Sequence, residues 1–449
     1  MGLFAPGSQI RNQLVLMGGD ALTGLFILFP VIMSLNSQQK ISPWVMGFIP
    51  TLLLSAFLCE VYKPGQKPGR ETILRTGVAA GLALIPLVLL VNRSHDRYTH
   101  VLLCLIVFMV LQNLWQGIFH KSSASAMFAR NILVIGTGPT AKKIESLVRD
   151  SHFRYSLKGY IRTATDPISV DKDLIMGPID DIVSLARTHD IHAIVIALTE
   201  RRGNLMIDKL VTCKLMGVRI IDYPTFFETM TGKLPVEDIN PSWLVQSNGF
   251  LITPFIRIMK RIIDIVFATI GLACVLPFFP LVALLIKLDS PGPVFYLQER
   301  VGANSRHFII IKFRSMTQDA EKETGAAWAL ENDPRITSLG AFMRKTRIDE
   351  LPQLVNVLKG DMSFIGPRPE RPEFVEQISK VAPYYLERHA VKPGITGWAQ
   401  VMYPYGASLG DSVEKLRYDL YYINNLSFFL DILIVLETVK VVLFRKGGR

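Results

Sequence analysis

Long apolar segments dominate the first part of the chain. They cover about residues 13–36, 43–61, 73–92 and 99–119, and polar residues are concentrated between them. Each is close to the roughly 20 residues that an α-helix needs to cross a bilayer. The pattern predicts a transmembrane four-helix bundle over residues 1–122. The first segment is long and a second follows at once, so we expect an uncleaved span rather than a signal peptide.

Basic residues around these segments predict the orientation of the bundle. One group lies before the first segment, between the second and third, and after the fourth: Arg11, Lys63, Lys67, Arg70, Lys121 and Arg130. The first outer loop carries only Lys40, although Arg93 and Arg97 in the second outer loop weaken the contrast. Because Lys and Arg accumulate in cytosolic loops, both ends of the bundle are expected in the cytosol.

Short apolar runs alternate with polar helical stretches from residue 128 onwards. Ile132–Ile135 leads into the glycine turn Gly136-Thr137-Gly138, and further strand-like runs cover Ala193–Leu198 and Val218–Ile221. This alternation predicts a Rossmann-like α/β domain over residues 128–240. The glycines could let the backbone approach a pyrophosphate at a helix N-terminus.

The end of the next strand argues against dinucleotide chemistry in this domain. Lys158–Arg162 ends in a cation, and the nearest acidic residue, Asp166, follows only after three more residues. Dinucleotide-binding domains use an acidic residue to bind the ribose. We therefore interpret the domain as a degenerate, nucleotide-binding-like module with a structural or regulatory role.

A third region follows a linker at residues 241–254. Residues 262–286 are apolar and long enough to span a bilayer, but Pro277 falls in the second half and breaks or kinks a helix. Cations flank both ends, with Lys260 before and Lys287 after. The charges predict a re-entrant helix that breaks near Pro277 and returns to the same face, and a fifth full span is the alternative on length alone.

Composition supports membrane association and an anionic partner. Hydrophobic residues make up 49% of the 449 residues, and the formal net charge is +11. Phospholipid headgroups or phosphorylated substrates fit this charge. Nucleic acid is not expected, because aromatic and basic residues form no recognisable nucleic-acid module. The four cysteines include no C-x-x-C pair, so neither a zinc site nor a disulfide framework is indicated.

Two adjacent carboxylates, Asp349 and Glu350, lie among cations and suggest phosphate chemistry. Arg344, Lys345 and Arg347 precede them within six residues. Helical neighbours point about 100° apart, so the two carboxylates would take different roles. One could attack phosphorus while the other holds a divalent metal, with arginines neutralising the phosphate oxygens. A solvated, charged helix face is the alternative for this dipeptide alone.

Several linked motifs over residues 255–449 carry a family resemblance. In chain order they are Pro291-Gly292-Pro293-Val294-Phe295, Gln298-Glu299-Arg300-Val301-Gly302, Lys312-Phe313-Arg314-Ser315-Met316, Asn332-Asp333-Pro334-Arg335-Ile336, the Asp349-Glu350 segment, Gly366-Pro367-Arg368-Pro369 and Lys392-Pro393-Gly394-Ile395-Thr396-Gly397-Trp398-Ala399-Gln400. This ordered set resembles the bacterial sugar transferases known as monotopic phosphoglycosyl transferases, or polyprenyl-phosphate hexose-1-phosphate transferases. The upstream regions resemble those of the large members of this family, and Met402–Gly406 gives a weaker resemblance to the exopolysaccharide-initiating members. The resemblance thus implies a membrane α plus α/β protein whose catalytic domain, residues 255–449, is monotopic.

The resemblance implies an activity and roles for individual residues. The activity is transfer of a sugar 1-phosphate from a UDP-hexose to undecaprenyl phosphate, with release of UMP, at the bacterial inner membrane and with a cytosolic catalytic domain. Asp349 matches the nucleophile that forms a covalent aspartyl-phosphosugar, and Glu350 matches the carboxylate that binds Mg²⁺. Four cations match positions near the substrate phosphates: Lys312, Arg314, Arg344 and Arg368.

Two departures limit this transfer of roles, and two other functions stay open. Leu276 precedes Pro277 where many relatives have Ser, and Met402–Gly406 replaces the Asn-Gly-Arg of smaller relatives. A membrane-bound nucleotide-sugar dehydratase could share the front half of this architecture, but it needs a working nicotinamide site. A scaffold of a polysaccharide assembly complex is the other alternative, in which the middle domain would self-associate, for example as a homodimer.

Overall fold

The computed structural model describes twelve parts of the chain: residues 8–33, 43–62, 69–91, 95–124, 130–150, 155–163, 166–198, 207–247, 249–318, 333–403, 406 and 408–443. They belong to two compact units, Met1–Gly232 and Lys233–Arg449. Four cations used to predict the bundle orientation, Lys40, Lys63, Lys67 and Arg93, lie outside these residues. The orientation and the three-domain division therefore stay predictions.

The first unit begins with four apolar helices: α1 (Ser8–Met33), α2 (Pro43–Leu58), α3 (Arg70–Leu89) and α4 (His95–Ala124). Residues within α1, α3 and α4 are long and apolar enough to cross a membrane, whereas α2 is shorter. Buried side chains such as Phe48, Leu87 and Phe108 pack between the helices. Together with the sheet described below, these helices confirm the predicted combination of membrane α and α/β structure.

A buried carboxylate connects three segments of this bundle. Oδ2 of Asp20 in α1 accepts hydrogen bonds from the hydroxyl of Tyr62, at 2.7 Å, and from Nε2 of Gln112 in α4, at 2.6 Å. Side-chain hydrogen bonds of this kind hold helices together where water is scarce. Asp20 is fully buried and serves the packing of the bundle.

A parallel five-stranded sheet with the order β3-β2-β1-β4-β5 completes the first unit. The strands are β1 (Arg130–Ile135), β2 (Tyr155–Arg162), β3 (Ile175–Pro178), β4 (Ala193–Ile196) and β5 (Arg219–Asp222), and the helices are α5 (Pro139–Asp150), α6 (Ile182–Thr188), α7 (Ile207–Leu215) and α8 (Tyr223–Thr231). Two separate clusters of buried apolar side chains contain alternate residues of β1. This order is that of a doubly wound, parallel α/β sheet, which agrees with the predicted α/β class.

The glycine turn after β1 is filled by the protein's own carboxylate. Oδ2 of Asp166 accepts the backbone N–H groups of Thr137, at 2.6 Å, and Gly138, at 2.8 Å. Gly136 has a φ of +119° and a Cβ there would lie 2.5 Å from a backbone oxygen, so only glycine fits. In a dinucleotide site such N–H groups face the pyrophosphate. The contact favours the degenerate interpretation and disfavours a nicotinamide-dependent dehydratase.

The second unit is mostly helical with two small sheets. Its helices are α9 (Pro241–Gln246), α10 (Pro254–Val275), α11 (Phe279–Asp289), α12 (Ser338–Thr346), α13 (Gln353–Lys359), α14 (Pro372–Ser379), α15 (Trp398–Met402), α16 (Leu409–Asn424) and α17 (Phe428–Leu443). Its strands are β6 (Phe295–Val301), β7 (His307–Phe313), β8 (Ser363–Ile365) and β9 (Gly394–Thr396). The pair β6–β7 is antiparallel and the pair β8–β9 is parallel.

The long apolar segment of this unit is broken where proline predicts. A 3₁₀ turn at Leu276–Phe278 contains Pro277 and separates α10 from α11. The whole stretch Pro254–Asp289 is apolar and long enough to cross a membrane. Leu272 of α10 packs against a buried cluster that includes Ile310 of β7. The ring centroids of Phe279 in α11 and Phe313 in the same strand are 4.9 Å apart. Residues on both sides of the break therefore pack in clusters that include residues of β7.

Polar contacts attach α10 to the rest of the unit. Arg261 donates to the backbone oxygens of Val357, at 2.6 Å, and Leu358, at 2.7 Å, near the end of α13. Asp264 is buried and accepts the backbone N–H of Phe364 in β8 at 2.9 Å. These bonds fix α10 against the C-terminal end of α13 and against β8.

Candidate active site

Asp349 and Glu350 lie in a 3₁₀ turn at Ile348–Glu350, rather than in the α-helix that the sequence suggested. Arg347 precedes the turn in the left-handed conformation, with a φ of +60°, and ends α12. Both carboxyl side chains are buried, at 7% exposure each. The solvated-face alternative is therefore wrong, because a buried acidic pair needs a compensating environment.

Three cations lie close enough to compensate the negative charge of Glu350. Its Oε1 accepts from Nη2 of Arg368 at 2.6 Å and from Nζ of Lys312 at 3.0 Å. Its Oε2 lies 3.8 Å from Nη1 of Arg347. Burial alone would raise the pKa of Glu350, but Arg368, Lys312 and Arg347 outweigh it and hold that pKa well below the ordinary value. Glu350 is thus ionised throughout the physiological range.

Asp349 has the opposite electrostatic state. Burial, and then the negative charge of Glu350, raise its pKa to about 6, although Lys312, Arg344 and Arg347 oppose the shift. Its Oδ1 is buried and accepts no hydrogen bond from the described residues. Two neighbouring carboxyl groups with separated pKa values are typical of acids or nucleophiles with different tasks. At neutral pH Asp349 is mostly ionised, and its Oδ1 has no hydrogen bond to lose before reacting.

Three of the four predicted phosphate-binding cations lie around this pair. Lys312 extends from β7 to Glu350, and burial lowers its pKa. Arg344, in the last turn of α12, donates its Nε to the Ser315 hydroxyl at 3.0 Å and lowers the pKa of Asp349. The negative charge of Glu350 raises the pKa of Arg368.

Arg314, the fourth, is directed elsewhere. Its Nη2 donates to the backbone oxygen of Ser290 at 2.6 Å and to that of Ile286 at 3.3 Å. Both oxygens lie near the end of α11, where a helix has carbonyl groups without intrahelical partners. The side chain is buried and its contacts are those of a helix cap. A phosphate contact by Arg314 stays a prediction, and the structure gives it a structural task.

Close backbone packing brings the two glycine-containing motifs of this site together. A Cβ on Gly394 would lie 2.1 Å from the backbone nitrogen of Gly366, and a Cβ on Gly397 would lie 2.1 Å from the Gly366 oxygen. Only glycine allows this approach. As a result Gln400, just after Gly397, reaches Arg368: its Oε1 accepts from Nη1 of the arginine at 3.1 Å.

Sequence reasoning quoted Gln400 within a motif but assigned it no role. It also missed Arg388, whose Nη2 donates to the backbone oxygen of Arg368 at 3.0 Å. The position of Gln400 after a glycine that must pack closely was a usable signal. Nothing in the local sequence around Arg388 indicates its contact.

The acidic pair fits a magnesium ion held partly by substrate. In the parts of the chain that are described, no group of three or more His, Cys, Asp or Glu side chains could hold a metal. Mg²⁺ is usually bound by one or two carboxylates together with waters and substrate phosphates. Among the described residues, Oε2 of Glu350 accepts no hydrogen bond that would block it and lies 3.8 Å from Nη1 of Arg347. This oxygen is the one suited to such an ion.

The part of the chain that contains this site matches a known protein family. Residues 255–445 match the family model for the bacterial sugar transferases. The undecaprenyl-phosphate glucose phosphotransferase of Komagataeibacter xylinus is 34% identical over 446 residues, which cover 97% of this chain and 78% of the relative. The chain belongs to the bacterial sugar transferase family.

Two further relatives show how far this sugar transferase follows the family. The UDP-glucose:undecaprenyl-phosphate glucose-1-phosphate transferase of Xanthomonas campestris pv. campestris is 30% identical over 76% of the chain and 72% of the relative. A relative from Aeromonas hydrophila, named UDP-N-acetylgalactosamine-undecaprenyl-phosphate N-acetylgalactosaminephosphotransferase, is 45% identical over 54% of this chain. The match spans 56% of the length of that relative. The names differ in the sugar but agree on undecaprenyl phosphate.

Proposed function

We propose that this sugar transferase moves a sugar 1-phosphate from a UDP-hexose to undecaprenyl phosphate, releases UMP and so begins exopolysaccharide synthesis. As a member of its family the chain is a phosphotransferase, and relatives that cover most of its length are named for this acceptor. The carrying observation is the buried pair in which Asp349 titrates at about 6 while Glu350 stays ionised. Such a pair can supply one nucleophile and one permanent charge.

The reaction has two steps at one phosphorus atom. A carboxylate oxygen of Asp349 attacks the phosphorus that bears the sugar, and the bond from that phosphorus to the bridging oxygen breaks, so that UMP leaves with the electron pair. A phosphate oxygen of undecaprenyl phosphate then attacks the same phosphorus and releases the Asp349 carboxylate. A covalent intermediate lets one site accept first a water-soluble donor and then a lipid.

Positioned charges provide the stabilisation that this chemistry needs. Lys312 and Arg368 already share Oε1 of Glu350, and Arg344 lies where it lowers the pKa of Asp349. Cations fixed before the reaction stabilise charge that develops on the phosphate oxygens. Mg²⁺, held by Glu350 with substrate phosphates, would supply further neutralisation of the diphosphate. We expect Asp349 to be the nucleophile because Glu350 is engaged by three cations.

We expect the site at the level of the lipid headgroups. The segment Pro254–Asp289 breaks at Pro277, and residues of both α10 and α11 pack in clusters that include residues of β7. These contacts support a helix that enters the bilayer and returns, with the catalytic domain on the cytosolic side of the inner membrane. There an acceptor phosphate and a nucleotide sugar can meet. A homodimer stays a prediction.

The test is nucleotide release by the full-length protein in detergent or lipid. Incubation with undecaprenyl phosphate, Mg²⁺ and a panel of UDP-sugars should release UMP with at least one sugar. The Asp349→Asn protein should release none, and mass spectrometry of the parent without acceptor should find a hexosyl-phosphate adduct on Asp349. Release of UDP, or an active Asp349→Asn protein, would contradict the proposal.

A further inference from the structure

A buried ion pair lies directly behind Arg368. Nη2 of Arg388 donates to Oδ2 of Asp419 in α16 at 2.8 Å and to the backbone oxygen of Arg368 at 3.0 Å. Its Nη1 donates to the hydroxyl of Tyr385 at 2.8 Å. The side chains of Arg388 and Asp419 are 5% and 3% exposed. One guanidinium thus joins a 3₁₀ helix, α16 and the loop that carries Arg368.

A pair of this kind is better explained by geometry than by stability. Removing two charges from water costs several kcal/mol, and apolar replacements of similar volume are often as stable. Here the cation also donates to a backbone oxygen next to the active site. That oxygen belongs to Arg368, which lies between Pro367 and Pro369, two residues with a fixed φ angle. The backbone at this position is therefore held from within the unit.

The side chain of Arg368 is fixed at two more points. Nη1 donates to Gln400 at 3.1 Å and Nη2 donates to Glu350 at 2.6 Å. With the backbone bond from Arg388, three contacts define where the guanidinium lies. A planar guanidinium whose two ends have different partners tolerates little displacement. A shift of the Arg368 backbone would loosen the contact with Glu350.

We propose that Arg388 and Asp419 are positioning residues, which hold the backbone of Arg368 so that its guanidinium spans Glu350 and Gln400. This rests on the proposed function for its catalytic meaning, whereas the position of the Arg368 guanidinium can be measured without turnover. Arg388 touches neither the acidic pair nor the expected substrate groups in the contacts described above. Its effect passes through Arg368.

The test uses the double variant Arg388→Met with Asp419→Leu in the full-length protein. Removing both charges leaves no uncompensated buried ion, so the fold should survive, and circular dichroism and melting establish this. The control is Glu237→Gln, which breaks the 2.8 Å pair between Glu237 and Arg417 of the same helix α16. The conservative variant Asp419→Asn keeps an acceptor for Arg388 without the charge, which weakens the hold on Arg388, and its fold is measured in the same way.

The first readout is ¹⁵N NMR of the arginine side chains at one pH, with the Arg368 Nε signal assigned by Arg368→Lys. In the parent and the control this signal should differ from that of a solvated arginine, because the guanidinium is held by Glu350 and Gln400. In the double variant the signal should move towards the solvated value, and Asp419→Asn should lie between. A parental signal in a folded double variant would overturn the proposal.

The second readout is the separation of kcat from KM for UMP release. We expect kcat of the double variant to fall about tenfold or more, roughly 1.4 kcal/mol, with a smaller change in KM. A merely structural pair would lower only the fraction of active protein, so kcat per active site, counted from the UMP released without acceptor, would stay parental. A parent that releases no UMP would instead refute the proposed function, and the arginine NMR would still decide the positioning role.

Discussion

Arg368 donates its Nη2 to Oε1 of Glu350 at 2.6 Å, while its Nη1 contacts Gln400 at 3.1 Å. The two ends of one guanidinium therefore join the acidic pair to the motif that follows β9. Lys312 donates to the same Glu350 oxygen at 3.0 Å. Glu350 is held as an anion by this arrangement, whereas burial and the charge of Glu350 raise the pKa of Asp349 to about 6.

Replacing Arg368 by lysine should lower activity although the charge is kept. A lysine ammonium is a single point charge and cannot reach Glu350 and Gln400 in two fixed directions. We expect Arg368→Lys to reduce kcat/KM for the UDP-sugar by about 10- to 100-fold. The matched control is Arg417→Lys, at the surface pair with Glu237, which should keep parental rates. Equal rates for Arg368→Lys and the parent would show that catalysis does not need the guanidinium to contact Glu350 and Gln400 together.

The raised pKa of Asp349 predicts both a pH profile and a stability change. A nucleophile must be ionised, so kcat/KM should rise through about pH 6 and level off above it. The native state binds this proton more tightly than the unfolded state does. Stability should therefore fall as pH rises from the unfolded value of 3.8 to about 6.

Asp349→Asn should accordingly melt at a higher temperature than the parent above pH 6, by an amount that reflects roughly 1–3 kcal/mol. The difference should shrink when both proteins are melted at about pH 4, where the parent carboxyl is protonated. Thermal melting of the two proteins at the two pH values measures this. A less stable Asp349→Asn protein at neutral pH would mean that the carboxylate is favourably paired instead.

Arg314 and Arg344 should separate into a structural and a substrate role when each is replaced by methionine. Arg314 caps the end of α11 through Ser290 and Ile286, so Arg314→Met should destabilise the fold by about 1–3 kcal/mol. Arg344 lies beside Asp349, so Arg344→Met should raise KM for the UDP-sugar roughly tenfold with a smaller loss of stability. Melting curves and initial rates on both variants test this. The opposite pattern would assign Arg314 to the phosphates.

Local sequence patterns were sufficient for the elements of this protein but not for its long-range contacts. Membrane-crossing helices and the alternation of strands with helices could be predicted from the hydrophobic pattern alone. The break at Pro277 could be predicted because proline lacks a backbone donor. The acidic pair could be recognised because its two carboxylates lie among cations in the sequence, and phosphate transfer uses both carboxylates and cations. The 3₁₀ turn that holds the pair was not expected, since its geometry depends on the left-handed Arg347 and on tertiary packing.

Contacts between distant residues could not be read from spacing. Lys312 and Arg314 belong to one motif, yet one extends to Glu350 and the other to the end of α11. Strand alternation does not explain this, because both have the same parity and their destinations are set by neighbouring elements. Arg388 reaches the backbone of Arg368 across twenty residues. Asp166 lies too far after the second strand for the expected ribose contact. Its carboxylate instead accepts a backbone N–H of the glycine turn.

Asp166→Ala should destabilise the first unit. The substitution removes two charge-assisted hydrogen bonds, to the N–H groups of Thr137 and Gly138, and about 2–4 kcal/mol is expected. Asp166→Asn, which keeps an acceptor without the charge, should lose less. Melting of the parent and both variants measures the effect. The parent should bind no NAD in calorimetric titration, and tight binding would revive the dehydratase alternative.

The path of the segment Pro254–Asp289 can be tested by its two ends. With the four native cysteines replaced, single cysteines at Thr253 and Ser290 should both react with an impermeant maleimide from the cytosolic side of membrane vesicles. A fifth full span would place them on opposite sides, because a straight helix of 36 residues exceeds the roughly 30 Å of a bilayer core.

Pro277→Ala should weaken the break and favour the straight form, since it restores a backbone donor. With Pro277 present, both engineered cysteines should therefore react with the maleimide. In the Pro277→Ala protein, labelling of Ser290→Cys from the cytosolic side should fall, while labelling of Thr253→Cys is kept. Labelling of Thr253→Cys and Ser290→Cys from opposite sides in the parental background would refute the re-entrant helix.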